Sequence, residues 1–232
     1  MLSIFDNQTN FEKRCRSLQG HILILDGLIS VGKTSLGKSL AKMLNDMKVS
    51  CTFITEYDNP LLDLYIKDRN KYAFTFQMIM VRERINVYKQ AQRLAKTGQF
   101  VIIDRSLTGD FSFALMQHKS GIFSSDEWQV YTDTLTNERL SEPSLIICLD
   151  AEVDTVFSRL QRRGVESEVD GYTKQYFEEL KASYCEASKI ISSEIHTLDW
   201  NSDKELDDGY ISIDDCKNFV ERVWSLIWGN VE

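Results

Sequence analysis

Residues 27–34 read Gly-Leu-Ile-Ser-Val-Gly-Lys-Thr, a complete GxxxxGK(S/T) spacing. The chemistry it serves is the cradling of a polyphosphate. Gly27 and Gly32 let the main chain turn tightly enough to aim N–H groups at phosphate oxygens, at the positive end of a following helix. Lys33 is placed to reach the β and γ oxygens, Thr34 to ligate Mg²⁺, and Ser30 and Ser35 to add hydroxyls on the phosphate side, so a nucleoside triphosphate with Mg²⁺ is the implied ligand pair. A glycine turn beside a solvated lysine is the alternative reading.

A phosphate loop by itself says only nucleoside triphosphate. Neither a guanine-reading NKxD nor a DxxG switch comes after the third apolar run. That run ends instead in Asp104-Arg105-Ser106, a carboxylate and a guanidinium delivered together at the carboxyl end of a strand, where ligands bind in sheets of this kind. Asp104 can order Mg²⁺ directly or through water, and Arg105 can span the donor phosphate and the acceptor oxygen. Glu56 closes the second apolar run on the same crevice, where a carboxylate can take the proton of an attacking hydroxyl. Arg159 and Arg163, four apart, share one helix face before a polar stretch and can close over a transferring phosphate. An exposed basic helix end is the other reading of that pair.

These groups need a scaffold, and the chain alternates as one would require. Apolar HILILDG (21–27) precedes a helical pattern from Lys33 to about Asn45, and CTFITE (51–56) precedes helical stretches from about 60 to 97. VIIDR (101–105) is followed by helices near 108–118 and 125–138, and SLIICLD (144–150) by a helix through Arg163. A polar glycine-containing stretch (164–171), a helix near 173–192, IHTLDW (195–200), an acidic loop and a helix near 212–228 complete the chain. Short, nearly all-apolar strands spaced by helices predict a parallel five-stranded sheet covered on both faces, an α/β three-layer P-loop NTPase fold.

With 232 residues, two prolines and no Gly/Ser linker, residues 1–232 read as a single domain with the phosphate loop at 27–34 and a lid segment at about 159–171. A net charge of −8 disfavours a nucleic-acid polymer or an anionic membrane as partner. The five cysteines have no metal-ligand spacing, and neither a signal core nor an 18-residue apolar run is visible, so the expected address is the cytosol, or the cytosol of a host cell. His21, His118 and His196 read as ordinary structural or surface residues, and Trp224 and Trp228 as core packing of the last helix.

Taken together, Gly27 to Thr34, Glu56, Asn59-Pro60, Phe76-Gln77, Asp104-Arg105-Ser106, Gly121 to Tyr131 with Ser125, Glu127 and Trp128, and the arginine segment resemble the deoxyribonucleoside kinase family over most of residues 20–200. The resemblance implies that Glu56 is the general base for the 5′-hydroxyl, that Arg105 assists it, and that Arg159 and Arg163 hold the phosphates of ATP. It also implies a homodimer through the long 72–97 and 108–118 helices.

Gln77 and Arg84 lie seven apart on one helix face and can converge on one ligand. The family places its base-reading amide at Gln77. Arg84 and Asp110 coincide with the pocket pair of members that prefer deoxycytidine and purine deoxynucleosides, so those bases are expected ahead of thymidine. A structural salt bridge is the plainer role for that pair, and the two are compatible. Three departures fall on the sugar and the lid. Ile66 stands where the family has a tyrosine for the 3′-hydroxyl, with Tyr65 one residue earlier. Val165 replaces one lid arginine. Glu168 matches the lid glutamate that meets the 3′-hydroxyl, and Glu166 is its possible substitute. The segment Phe111 to Ala114 is one residue short, which leaves the base-stacking phenylalanine open. Within the same fold the competing reading is a thymidylate-type nucleoside monophosphate kinase. A non-catalytic P-loop nucleotide-binding protein is the competitor from another class. The acidic segment from Asp203 to Asp215 reads as a solvated loop beside the adenine of ATP.

Overall fold

A computed structural model describes residues 4–138, 140–191, 194–203, 206–207 and 210–229. Five strands, β1 (Ile22–Gly27), β2 (Cys51–Ile54), β3 (Phe100–Asp104), β4 (Leu145–Asp150) and β5 (Ile195–Asp199), form one sheet in the order β2-β3-β1-β4-β5. Every pairing is parallel, with Ile24 opposite Ile103 on one side and Ile146 on the other. The helices are α1 (Ile4–Ser17), α2 (Lys33–Asp46), α3 (Leu62–Lys67), α4 (Arg69–Lys96), α5 (Leu107–Lys119), α6 (Ser125–Thr136), α7 (Val153–Arg163), α8 (Glu166–Gly171), α9 (Lys174–Ile190) and α10 (Ile213–Trp228).

The apolar runs explain the layering. Side chains alternate across a strand, so Ile22, Ile24, Val101, Ile103 and Ile146 pack with Tyr88, Ala91 and Ala95 of α4 on one face. Leu23, Leu25, Ile102 and Ile147 enter the larger core with Leu36, Leu40, Phe219 and Val223 of α2 and α10 on the other. The expected three layers are observed. Because all five strands run the same way, their carboxyl ends deliver Gly27, Glu56, Asp104 and Asp150 to one edge. Glu56 lies two residues past the end of β2, in the loop after it, so that strand is shorter than its sequence suggested.

Three local readings are corrected. The polar 164–171 stretch contains a helix, α8, separated from α7 by Gly164 at φ 70. Six residues with no apolar stripe carry little helical signal, and α8 forms where it packs against α3. Trp224 and Trp228 are half-buried and stacked on each other at 5.6 Å; Trp228 packs against the main core as expected, whereas Trp224 joins α10 to α1, where its Nε1 donates to Ser17 Oγ at 3.1 Å and Arg14 lies over its ring. Within the acidic 203–215 segment two short antiparallel strands, β6 (Leu206–Asp207) and β7 (Tyr210–Ile211), pair with each other. Residues 204, 205, 208 and 209 of that expected loop lie outside the described residues. Among the described residues no helix is long and apolar enough to cross a membrane.

Candidate active site

A cavity of about 740 Å³ opens along the carboxyl edge of the sheet. At one end lies the loop between β1 and α2. Gly27 has φ 127, and a Cβ there would sit 2.4 Å from the carbonyl oxygen of Leu149, so only glycine lets β1 turn beside β4. Gly32, at φ 113, starts α2 and lies under Trp200. Lys33 is buried and donates to the carbonyls of Gly27 at 3.2 Å and Leu28 at 2.9 Å. Burial, then the nearby Arg105, pull its ammonium down to about 8, against the attraction of Asp104 and Glu56.

Thr34 Oγ1 donates to Asp104 Oδ2 at 2.6 Å, and Asp104 Oδ1 is buried without a partner. An orphaned carboxylate oxygen beside a threonine hydroxyl is a donor set that suits a hard divalent cation. Burial raises the Asp104 carboxyl despite Lys33, so a cation there would restore its charged form. Ser30, at φ 61, also has an unpaired buried hydroxyl, and it and Ser35 line the same cavity end.

Glu56 sits between the two ends. Arg84 and Arg105 both donate to its Oε1, each at 2.9 Å, which leaves Oε2 with no donor among the described residues. Burial raises this carboxyl, but Arg105, Arg84 and Lys33 outweigh it and hold it at about 2. Arg105 is aimed by an unusual backbone, φ 74, and by a buried ring of acceptors. Its Nη1 donates to Gly27 O at 2.9 Å and to the Tyr184 hydroxyl at 2.5 Å, and that hydroxyl donates to Asp26 Oδ1 at 2.8 Å. Asp26 also takes the hydroxyl of Ser106, the N-cap of α5. Gly109 permits this approach, since a Cβ there would lie 2.5 Å from Asp26 Oδ1. Asp26 and Tyr184 were not singled out in the sequence. A lone aspartate ending an apolar strand was the available signal for the first, and Tyr184 offered none.

The other end of the cavity is walled by α4 and α5, with α6 packed behind them. Asp110 is fully buried and accepts from Arg84 Nε at 2.9 Å, Gln77 Nε2 at 2.8 Å and the Tyr131 hydroxyl at 2.7 Å. Gln77 and Arg84 thus converge as the seven-residue spacing predicts, and both line the cavity. Gln117 Nε2 donates to Gln77 Oε1 at 3.2 Å, a further member that sequence reasoning missed. Tyr131 arrives because Ser124 and Glu127 form a capping box that starts α6, while Trp128 stacks on His118 at 4.5 Å. Phe113 lines the cavity, whereas Phe111 packs against Trp128 and does not line it. None of the three histidines lines it.

Around the rim, Tyr65 lines the cavity and stacks on Phe76 at 4.5 Å, while Ile66 turns toward Gly171. Glu168 lines the cavity and pairs with Arg163, whereas Glu166 does not line it. Arg159 is less free than a mobile lid arginine should be. Its Nη1 donates to Val31 O at 3.0 Å and its Nη2 to the Trp200 and Ser202 carbonyls, each at 3.0 Å, tying the phosphate loop to the segment after β5. Asp203 accepts from Arg159 at 3.2 Å and from Arg162, an unanticipated lining residue, at 3.0 Å.

A phosphate cradle on the central strand and a carboxylate held by two arginines, lining one cavity, define a P-loop phosphotransferase. More narrowly, the sequence model for deoxynucleoside kinases matches residues 23–223, and the chain belongs to that family. It is 29% identical over 191 residues to a deoxyadenosine kinase of Dictyostelium discoideum, covering 82% of this chain and 74% of the relative. It is 25% identical over 221 residues to the deoxyadenosine/deoxycytidine kinase of Bacillus subtilis, covering 90% and 94%. The deoxyadenosine kinase of M. mycoides with bound dCTP shares the fold, with a TM-score of 0.67 and 20% identity over 89% of this chain and 100% of that one.

Proposed function

We propose that the protein transfers the γ-phosphate of ATP to the 5′-hydroxyl of a deoxynucleoside, with deoxyadenosine, deoxyguanosine or deoxycytidine preferred to thymidine. The observation that carries this reading is the geometry at Glu56, whose Oε1 is occupied by Arg84 and Arg105 while Oε2 is left to accept a proton. A carboxylate held so acidic is a weak base. That suits phosphoryl transfer through a loose transition state, where positioning and charge stabilisation outweigh the pull on the hydroxyl proton. Arg105 holds Glu56 and lies within reach of the acceptor oxygen. Lys33, Arg163 and Arg159 supply positive charge to the donor phosphates, with Gly27, Ser30, Gly32, Thr34 and Ser35 forming the cradle. Thr34 and Asp104 are the residues that would hold Mg²⁺, which when bound neutralises phosphate charge.

Gln77 and the Arg84–Asp110 pair floor the base site. A buried ion pair there offers polar contacts to an exocyclic amine and leaves little room for a 5-methyl group. Tyr65 and Glu168 stand where the deoxyribose must lie. A monophosphate acceptor is disfavoured because the cations at that end, Arg84 and Arg105, are already neutralised by Glu56, Asp110 and Asp26. We also read the whole chain as one kinase domain with its lid at about 159–171, working in the cytoplasm as a homodimer.

ATP-dependent phosphorylation of the four natural deoxynucleosides, with thymidylate and deoxycytidylate as competing acceptors, tests the proposal. Turnover of a purine deoxynucleoside or deoxycytidine well above thymidine supports it. Thymidine preference would overturn the base-site reading alone, and preference for a monophosphate would overturn the acceptor assignment.

A further inference from the structure

Arg69, the first residue of α4, takes no part in the site as described, yet its surroundings are built around it. Its guanidinium carbon lies over three tyrosine rings, at 5.6 Å from Tyr65, 5.5 Å from Tyr172 and 4.8 Å from Tyr176. Its Nη2 donates to the carbonyl of Gly171 at 2.7 Å, the last residue of α8. Its Nε is buried without an acceptor, and no carboxylate pairs with it among the described residues. A cation left without a counter-ion at a protein's edge gains most from ring faces and a carbonyl held close. The tyrosines are themselves linked, with the Tyr65 and Tyr176 hydroxyls 3.2 Å apart.

Each member of this cage belongs to a different wall. Tyr65 comes from α3 and lines the cavity; Tyr172 comes directly after α8 and also lines it; Tyr176 opens α9. Ile66, which stands where the family has its sugar-binding tyrosine, has a structural use here. A Cβ at position 171 would lie 1.9 Å from Ile66 Cγ2, so the end of α8 is seated against Ile66 through a bare glycine. Three residues before that seat, Glu168 faces the cavity. We propose that Arg69 is a positioning residue for sugar recognition: caged by three tyrosines and bonded to Gly171, it fixes the lid helix so that Glu168 meets the 3′-hydroxyl. This role rests on Glu168 standing beside the deoxyribose, as in the proposed function.

The test compares kcat/KM for the best deoxynucleoside with that for its 2′,3′-dideoxy counterpart. A defect that merely loosens the fold lowers both values and cancels in their ratio. Arg69→Met fills the cage without a cation or a donor; it is expected to reduce the ratio about tenfold, the scale of one charge-assisted hydrogen bond. The loss should appear in KM for the 3′-hydroxyl substrate, and Arg69→Lys should recover part of it. Glu168→Gln should give a similar loss, and the double variant no further one. If Glu168→Gln lowers the ratio while Arg69→Met leaves it unchanged, the positioning role is overturned and the reading of Glu168 stands. If Glu168→Gln leaves the ratio unchanged, that reading fails and the proposal with it.

Discussion

Asp110→Asn changes one carboxylate oxygen to an amide nitrogen with almost no change in volume, at a side chain that takes three donors. The carboxylate accepts from Gln77 and Tyr131 on Oδ1 and from Arg84 on Oδ2. An asparagine oxygen placed toward Gln77 and Tyr131 preserves the first two. Its NH₂ then points at Arg84 Nε–H, donor against donor. Breaking a buried ion pair costs about 3–5 kcal/mol. Arg84 keeps its bond to Glu56, so the lower end applies, about 3 kcal/mol. At about 2–4 °C per kcal/mol for a chain of this length, Tm should fall by about 6–12 °C. Adding Arg84→Met removes the opposing donor, so the double variant should be more stable than the sum of its parts by about 1–3 kcal/mol. Both variants lack the ion pair and should lose about tenfold in preference for deoxyadenosine over thymidine, a change of about 1.4 kcal/mol. Scanning calorimetry and a two-substrate competition assay read the two effects. A Tm within about 2 °C of the parent for Asp110→Asn, or strictly additive losses in the double variant, would refute this reasoning.

Other outcomes rest on the same contacts. Lys33 is held at about 8, so kcat/KM for ATP should fall as pH rises through that value, since the neutral amine binds phosphate poorly; saturating ATP should suppress the limb. Between about 8 and 10.5 the unfolded chain binds the extra proton, so the Lys33 contribution to stability should rise with pH. Glu56 gives a slope of the same sign in an acid window. Its carboxyl is held at about 2 against an ordinary 4.5, so its contribution is complete above 4.5 and is lost as pH falls toward 2, which acid titration of Tm in parent and Glu56→Gln protein would read. Gly109→Ala drives a methyl into Asp26 and Tyr184 and should lower kcat more than it lowers nucleotide affinity, because the displaced group aims Arg105. Equal losses in kcat and in ATP binding would contradict that role.

The parallel sheet was legible because each strand is an unbroken apolar run and each is followed by a helical period. The phosphate loop was legible because its glycines, lysine and threonine are adjacent in the chain. Glu56, Asp104 and Arg105 came from the rule that parallel strands send their ends to one edge. The features that escaped are those the fold assembles from distant segments. Tyr184 meets Arg105 across 79 positions and Arg69 meets Gly171 across 102, and neither residue has a neighbour in sequence that betrays its use. Helix α8 escaped because six residues without an apolar stripe carry no period. The N-terminal helix α1 was not read at all. Its buried Cys15 lies four residues after Phe11, too short a stripe to register before α10 brings Val220 and Val223 into the same core.

Glu56→Gln is the most direct test of the central claim, that a carboxylate in the middle of the cavity, between the phosphate loop and the Gln77–Asp110 end, takes the proton of a deoxynucleoside hydroxyl. The amide oxygen, in the place of Oε1, can still accept from both arginines, and the amide preserves the volume of the site. Binding of an ATP analogue and of the deoxynucleoside should stay within a few-fold of the parent, while single-turnover phosphorylation should slow by about 10²–10⁴. A single-turnover rate within a factor of about five of the parent, with binding intact, would show that Glu56 is not the base.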